Sequence, residues 1–170
     1  MKIMKTRLFL TMLSVLCLSF VPAKAETDKF RSTDLPLPRF VSLSSDKVYA
    51  RTGPGKNYPI KWVYNRKLLP VEIVQEYEGW RKVKDNEGDG GWIHRSLLSG
   101  RRTALIRDGD PAFVYEKNNE KARVKARLEA GVVVSVDECM ESWCRVEAGG
   151  YRGWVERKFL WGIYEGEEFD

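Results

Sequence analysis

The chain has 170 residues, with 29 Lys and Arg against 24 Asp and Glu, giving a formal charge of +5 and a pI near 9.1. Four of those cations, Lys2, Lys5, Arg7 and Lys24, lie in the first 25 residues, which carry no acid, so the remainder is only +1. Residues 26–100 hold 13 basic and 10 acidic side chains, residues 101–170 hold 12 and 14, and Glu165, Glu167, Glu168 and Asp170 crowd the end. No clustered positive field is left to steer a polyanion, which excludes nucleic acid as a partner.

Residues 1–25 read as an export signal. Lys2, Lys5 and Arg7 precede an apolar run from Leu8 to Val21, and Ala23-Lys24-Ala25 follows with the small-x-small pattern of a cleavage site. The run of 14 residues falls short of the roughly 20 that span a bilayer. The expected mature chain therefore begins after Ala25, carries no integral membrane segment, and is periplasmic or secreted.

Residues 26–44 form a lead-in, in which Leu35-Pro36-Leu37-Pro38 removes two backbone donors and favours an extended course. Pro36, Pro38 and Arg39 read either as a stiff spacer or as a polyproline segment that docks on an aromatic groove and partly occludes it.

From residue 45 to 100 the pattern is that of short strands. Val48 to Arg51 is the first, and Thr52-Gly53-Pro54-Gly55-Lys56-Asn57 is dense in turn formers. Ile60 to Tyr64 alternates, Leu69 to Val74 is apolar and β-branched, and Trp80 to Val83 precedes the hairpin loop Asp85–Gly91. Trp92-Ile93-His94 closes the set, and Arg95 to Leu98 is expected to turn as a short helix.

Residues 101–162 repeat that order. The predicted strands are Ala112–Tyr115, Arg123–Arg127, Val132–Val136, Trp143–Val146 and Tyr151–Glu156. Trp80 recurs as Trp143, 63 residues on, and Trp92 as Trp154, 62 residues on, which marks two copies of one small β module. Residues 163–170 are an acidic tail. Modules this small lie near the lower size limit for folding alone, so the two are expected to pack together, or the lead-in to pack on one of them.

Cleavage after Ala25 removes Cys17 and leaves Cys139 and Cys144, an even pair across a short predicted hairpin. In an exported chain such a pair reads as a disulfide. Zinc is not expected, because His94 is the only histidine and four nitrogen or sulfur ligands are the norm. No cofactor is expected either.

The stretch from Val48-Tyr49-Ala50-Arg51-Thr52-Gly53-Pro54-Gly55 to Gly91-Trp92-Ile93-His94-Arg95-Ser96-Leu97-Leu98 strongly resembles the bacterial SH3-like domain. With its signal segment and repeat, the chain resembles the exported tandem SH3-like proteins of Gram-negative proteobacteria. The resemblance implies an all-β fold of two five-stranded barrels, and a groove lined by Tyr49, Arg51, Tyr58, Trp62, Tyr64 and Trp92. It also implies a non-catalytic binding role, toward peptidoglycan (stem peptide or glycan) or toward a protein or peptide of the envelope. Aromatic faces suit any of these ligands. The second copy departs from the pattern, with Tyr115-Glu116-Lys117-Asn118-Asn119-Glu120 where the first has its Gly-Pro loop. Recognition is therefore expected in the first module, with the recurrent Trp80, Trp92, Trp143 and Trp154 as architecture. His94 lacks an evident catalytic partner, and the modules leave no span for a papain-like peptidase, so no enzymatic activity is expected.

Overall fold

The computed structural model describes residues 33–169, so the signal segment 1–25 lies outside the described residues. The first module comprises β1 (Arg39–Leu43), β2 (Val48–Arg51), β3 (Ile60–Tyr64), β4 (Pro70–Tyr77), β5 (Trp80–Lys84), β6 (Gly90–His94) and β7 (Leu98–Ser99), with a single 3-10 turn, Arg95–Leu97, before β7. The second comprises β8 (Thr103–Ile106), β9 (Ala112–Tyr115), β10 (Val124–Leu128), β11 (Val133–Met140), β12 (Trp143–Ala148), β13 (Tyr151–Glu156), a 3-10 turn Arg157–Phe159, and β14 (Leu160–Trp161).

Each module is one antiparallel sheet, ordered β3-β2-β6-β5-β4-β1-β7 and β10-β9-β13-β12-β11-β8-β14. The two orders are the same, so the sequence repeat is a repeat of topology. Both long central hairpins carry a register irregularity at the same place, between Ile73 and Gln75 and between Val136 and Glu138. Such bulges sharpen the bend a small barrel needs.

The Gly-Trp motif has a steric cause. A Cβ on Gly91 would lie 2.6 Å from the carbonyl oxygen of Arg51, and one on Gly153 would lie 2.3 Å from that of Tyr115. Only a bare α-carbon lets the closing strand approach the first one this closely. Inside, Leu43, Val48, Ala50, Tyr64, Val71, Ile73, Val83 and Ile93 form one core, and a second forms around Ile106, Val114, Val134, Val146, Val155 and Leu160. Cys139 and Cys144 face each other in that second barrel and are bonded.

Two features depart from the five-stranded expectation. Each barrel gains a short closing strand, β7 or β14, and an opening strand, β1 or β8. Strand β1 lies within the lead-in and pairs with both β4 and β7. Its sequence Arg39-Phe40-Val41-Ser42-Leu43 shows little alternation because both faces are covered. Leu43 is fully buried and Val41 packs on the first core, whereas Phe40 stacks outward, 5.1 Å from the ring of Trp161 and 4.7 Å from that of Tyr164.

Those rings join the two barrels. The Tyr164 hydroxyl donates to Glu72 at 2.8 Å, the Thr103 hydroxyl donates to the Leu68 carbonyl at 2.9 Å, and Arg66 reaches the Gly131 carbonyl at 2.6 Å. The modules pack together and the lead-in packs on the first. Leu37 touches its core, and Thr33 and Arg39 bond the buried carboxylate of Glu76.

Candidate functional site

The loop from Thr52 to Pro59 positions the candidate side chains. Its ends are tied by Thr52 N–H donating to the Pro59 carbonyl at 3.0 Å. The ring of Tyr58 lies flat over the turn, so that a Cβ on Gly53 would meet it at 2.4 Å. Arg51 donates from Nη1 to the Tyr58 carbonyl at 2.7 Å, which fixes its guanidinium beside the loop. Turn-forming glycines are therefore required here as a seat for a ring.

Beside this loop opens a cleft of about 370 Å³, lined by Tyr49, Arg51, Lys56, Trp80, His94, Ser96 and Leu97. Trp80 and His94 are cross-strand neighbours on β5 and β6, with ring centroids 5.4 Å apart in an edge-on arrangement. The ammonium of Lys47 lies over the outer face of the site, 5.5 Å from the ring of Tyr49. Aromatic walls with two cations at the rim make a surface suited to a ligand with both an apolar face and negative charge.

His94 Nδ1 and the Ser96 hydroxyl are 2.8 Å apart, and the same nitrogen faces the Ser96 amide at 3.4 Å. The pair caps the 3-10 turn that begins at Arg95. This geometry holds the loop in place and orients the imidazole edge-on to Trp80.

The six groove residues expected from the sequence divide four ways. Tyr49 and Arg51 line the cleft, and Tyr58 shapes its loop while staying half-exposed. Trp62 is exposed on the edge strand β3, with its ring 6.4 Å from that of Tyr64. Tyr64 turns into the core at 5% exposure, whereas Trp92, covered to 8%, stays on the outer face and lines an adjoining hollow with Arg51, Lys61 and Lys82. The Tyr64 hydroxyl donates to Asp85 at 2.9 Å, and burial, followed by the charge of Asp85, drives its pKa above the ordinary tyrosine range. Trp80, Lys56, His94 and Ser96 were not among the expected residues. The recurrence of Trp80 marks it as architecture, but its ring also forms a wall. The signal that could have found His94 was its replacement by Glu156 in the second copy, where the framework positions are kept.

The bacterial SH3 domain family model matches residues 44–100 and again residues 108–162. The chain belongs to the bacterial SH3 domain family. Both copies of the SH3 module keep the sheet order and the close glycine approach, but only the first presents the cationic cleft. A search of curated proteins returns no match. Among solved structures the chain is similar to NlpC2 from Trichomonas vaginalis, at 16% identity and a TM-score of 0.34, covering 73% of this chain and 48% of that one. It is also similar to NlpC1 from the same organism, at 15% identity and a TM-score of 0.33, covering 76% and 47%. The chain thus spans about half the length of either protein.

Proposed function

We propose that this chain is an exported, non-catalytic binding protein of the cell envelope whose first SH3 module recognises peptidoglycan. The observation that carries the reading is the cleft between Tyr49 and Trp80, with Arg51, Lys56 and His94 at its edge, on a module of the bacterial SH3 family. The buried Cys139–Cys144 bond supports an oxidising compartment outside the cytoplasm. The site has the character of a recognition surface, because His94 and Ser96 are engaged in capping one turn.

A second reading is an interaction subunit of an envelope complex. It is favoured by edge strand β3, which exposes Ile60, Trp62 and Val63 at 47%, 41% and 37%. Exposed apolar side chains on an unpaired edge are the usual material of strand addition. Co-sedimentation with purified peptidoglycan sacculi separates the two. Pelleting of the protein with sacculi supports the first reading, whereas capture of a defined envelope protein without pelleting supports the second.

A further inference from the structure

The two first loops share one backbone conformation. Thr52 N–H to Pro59 O, Gly55 N–H to Gly53 O and Tyr58 N–H to Gly55 O measure 3.0, 3.0 and 3.3 Å. Glu116 N–H to Arg123 O, Asn119 N–H to Lys117 O and Ala122 N–H to Asn119 O measure 2.9, 2.8 and 3.1 Å. Hydrogen bonding therefore aligns the copies residue by residue, with Lys56 at the place of Glu120. Strand register extends the match. Arg51 pairs with Trp92 as Tyr115 pairs with Trp154, and Trp80 pairs with His94 as Trp143 pairs with Glu156.

The walls are kept, while the cations are lost or reversed and an acid is gained. Phe113 stands for Tyr49 and Trp143 repeats Trp80, and Tyr115 stands 5.5 Å from Trp143 in an edge-on contact. Arg51, Lys56 and His94 become Tyr115, Glu120 and Glu156. In the second copy Glu156 is already bonded, by Lys158 at 2.7 Å. The loop keeps its backbone with a lysine or a glutamate at the Lys56 position, so it does not require that cation. Arg51 also ties the loop through the Tyr58 carbonyl and has its remaining donors to offer.

We propose that the first cleft receives a peptide bearing a free carboxylate, with Arg51 and Lys56 as its charge partners and Tyr49 and Trp80 as its walls, and that the second module refuses the same ligand. This deepens the peptidoglycan reading and rests on it, choosing the peptide over the glycan. A neutral sugar would gain from the rings and leave the Lys56 ammonium and the outer donors of Arg51 unmatched. A guanidinium and an ammonium at one rim match a carboxylate in charge and in hydrogen bonding.

The test uses the whole chain from Glu26, labelled with nitrogen-15, and three probes. These are acetyl-Ala-Glu-Ala with free carboxylates, the same peptide with its carboxylates amidated, and the N-acetylglucosamine trimer. The acidic peptide is expected to shift the Trp80 indole N–H and the amides of Arg51 and Lys56 saturably, while Trp143 stays put. Amidation should weaken binding about tenfold. Lys56→Glu, an exposed loop change, should weaken it by a similar factor, and added salt should weaken the wild type. Equal shifts from both peptides, shifts of Trp143 as large as those of Trp80, or no shift from the acidic peptide would overturn the proposal. Trimer binding at Trp80 without peptide binding, in a protein that still pellets with sacculi, overturns the carboxylate and spares the wall reading. Acidic-peptide binding without pelleting removes the wall reading and keeps the carboxylate site.

Discussion

Glu76 and Arg81 face each other across the β4–β5 hairpin, Nε 3.2 Å from the carboxylate, in the register that Cys139 and Cys144 hold across β11–β12. One barrel closes this position with a buried ion pair and the other with a covalent bond. The coverings correspond as well. Arg39 and Thr33 of the lead-in lie on Glu76, while Phe169 of the tail exchanges backbone hydrogen bonds with Cys139. Arg102, placed in the second module as Arg39 is in the first, binds Glu167 at 2.7 Å and stacks over Phe169. Lead-in and tail are thus equivalent straps on two copies of one hairpin.

Replacing Glu76 by Gln should destabilise the first module by about 3–5 kcal/mol, because it leaves two arginines without their shared, buried counter-charge. Chemical denaturation compares the variant with the wild type. A loss below about 1 kcal/mol would mean that the pair is no more than a surface ion pair in effect.

The same carboxylate sets a pH dependence. Burial by itself would raise its pKa, but the hydrogen bonds from Arg39 and Thr33 and the charges of Arg81 and Arg39 outweigh that and hold it at about 2, against an ordinary 4.5. A carboxylate lowered on folding contributes stability that is complete above the unfolded value and is lost as pH falls toward the folded one. Melting temperature should therefore drop between about pH 4.5 and pH 2, with a loss of order 3 kcal/mol. The Glu76→Gln variant should be flatter across this window. Parallel melts at pH 6, 4 and 3 decide it.

Breaking the Cys139–Cys144 bond should cost the second module about 2 kcal/mol, the modest figure expected for a short closed loop. Denaturation with and without reductant measures this. Alkylation of the native protein without reductant, followed by mass spectrometry, should leave both sulfurs unlabelled.

Phe40→Ala removes the ring that meets Trp161 and Tyr164 and should cost about 2 kcal/mol. Because those rings couple the barrels, calorimetry should show one transition in the wild type and two in the variant. A single unshifted transition would place the coupling elsewhere.

Much of this architecture was legible in the sequence. The offset tryptophans and the Gly-Pro loop located the repeated barrels, and the spacing of Cys139 and Cys144 gave their pairing. The half-buried alternation expected of Ile60 to Tyr64 is not found, because β3 is an edge strand exposed from Ile60 to Val63. Strand β1 was not legible, because Phe40 and Val41 are covered by different barrels and so leave no period of two. Tyr64 reads as a groove aromatic beside Trp62, with which it shares a strand face, yet at its end of β3 that face is covered, and its hydroxyl bonds Asp85. Lys56 and His94 come from a loop and a closing strand far apart in sequence, and only the register that brings β2, β5 and β6 together makes them neighbours of Tyr49. A cleft built by pairing across strands has no local motif.

The most direct measurement is quantitative sacculus binding by the wild type, a Tyr49→Ala, Lys56→Glu double variant of the first cleft, and a Phe113→Ala variant of the second. The wild type should pellet with sacculi, the first-cleft variant should bind about tenfold or more weakly, and the second-cleft variant should bind as the wild type does. A wild type that stays in the supernatant, or equal losses from the two clefts, would contradict recognition of peptidoglycan by the first module.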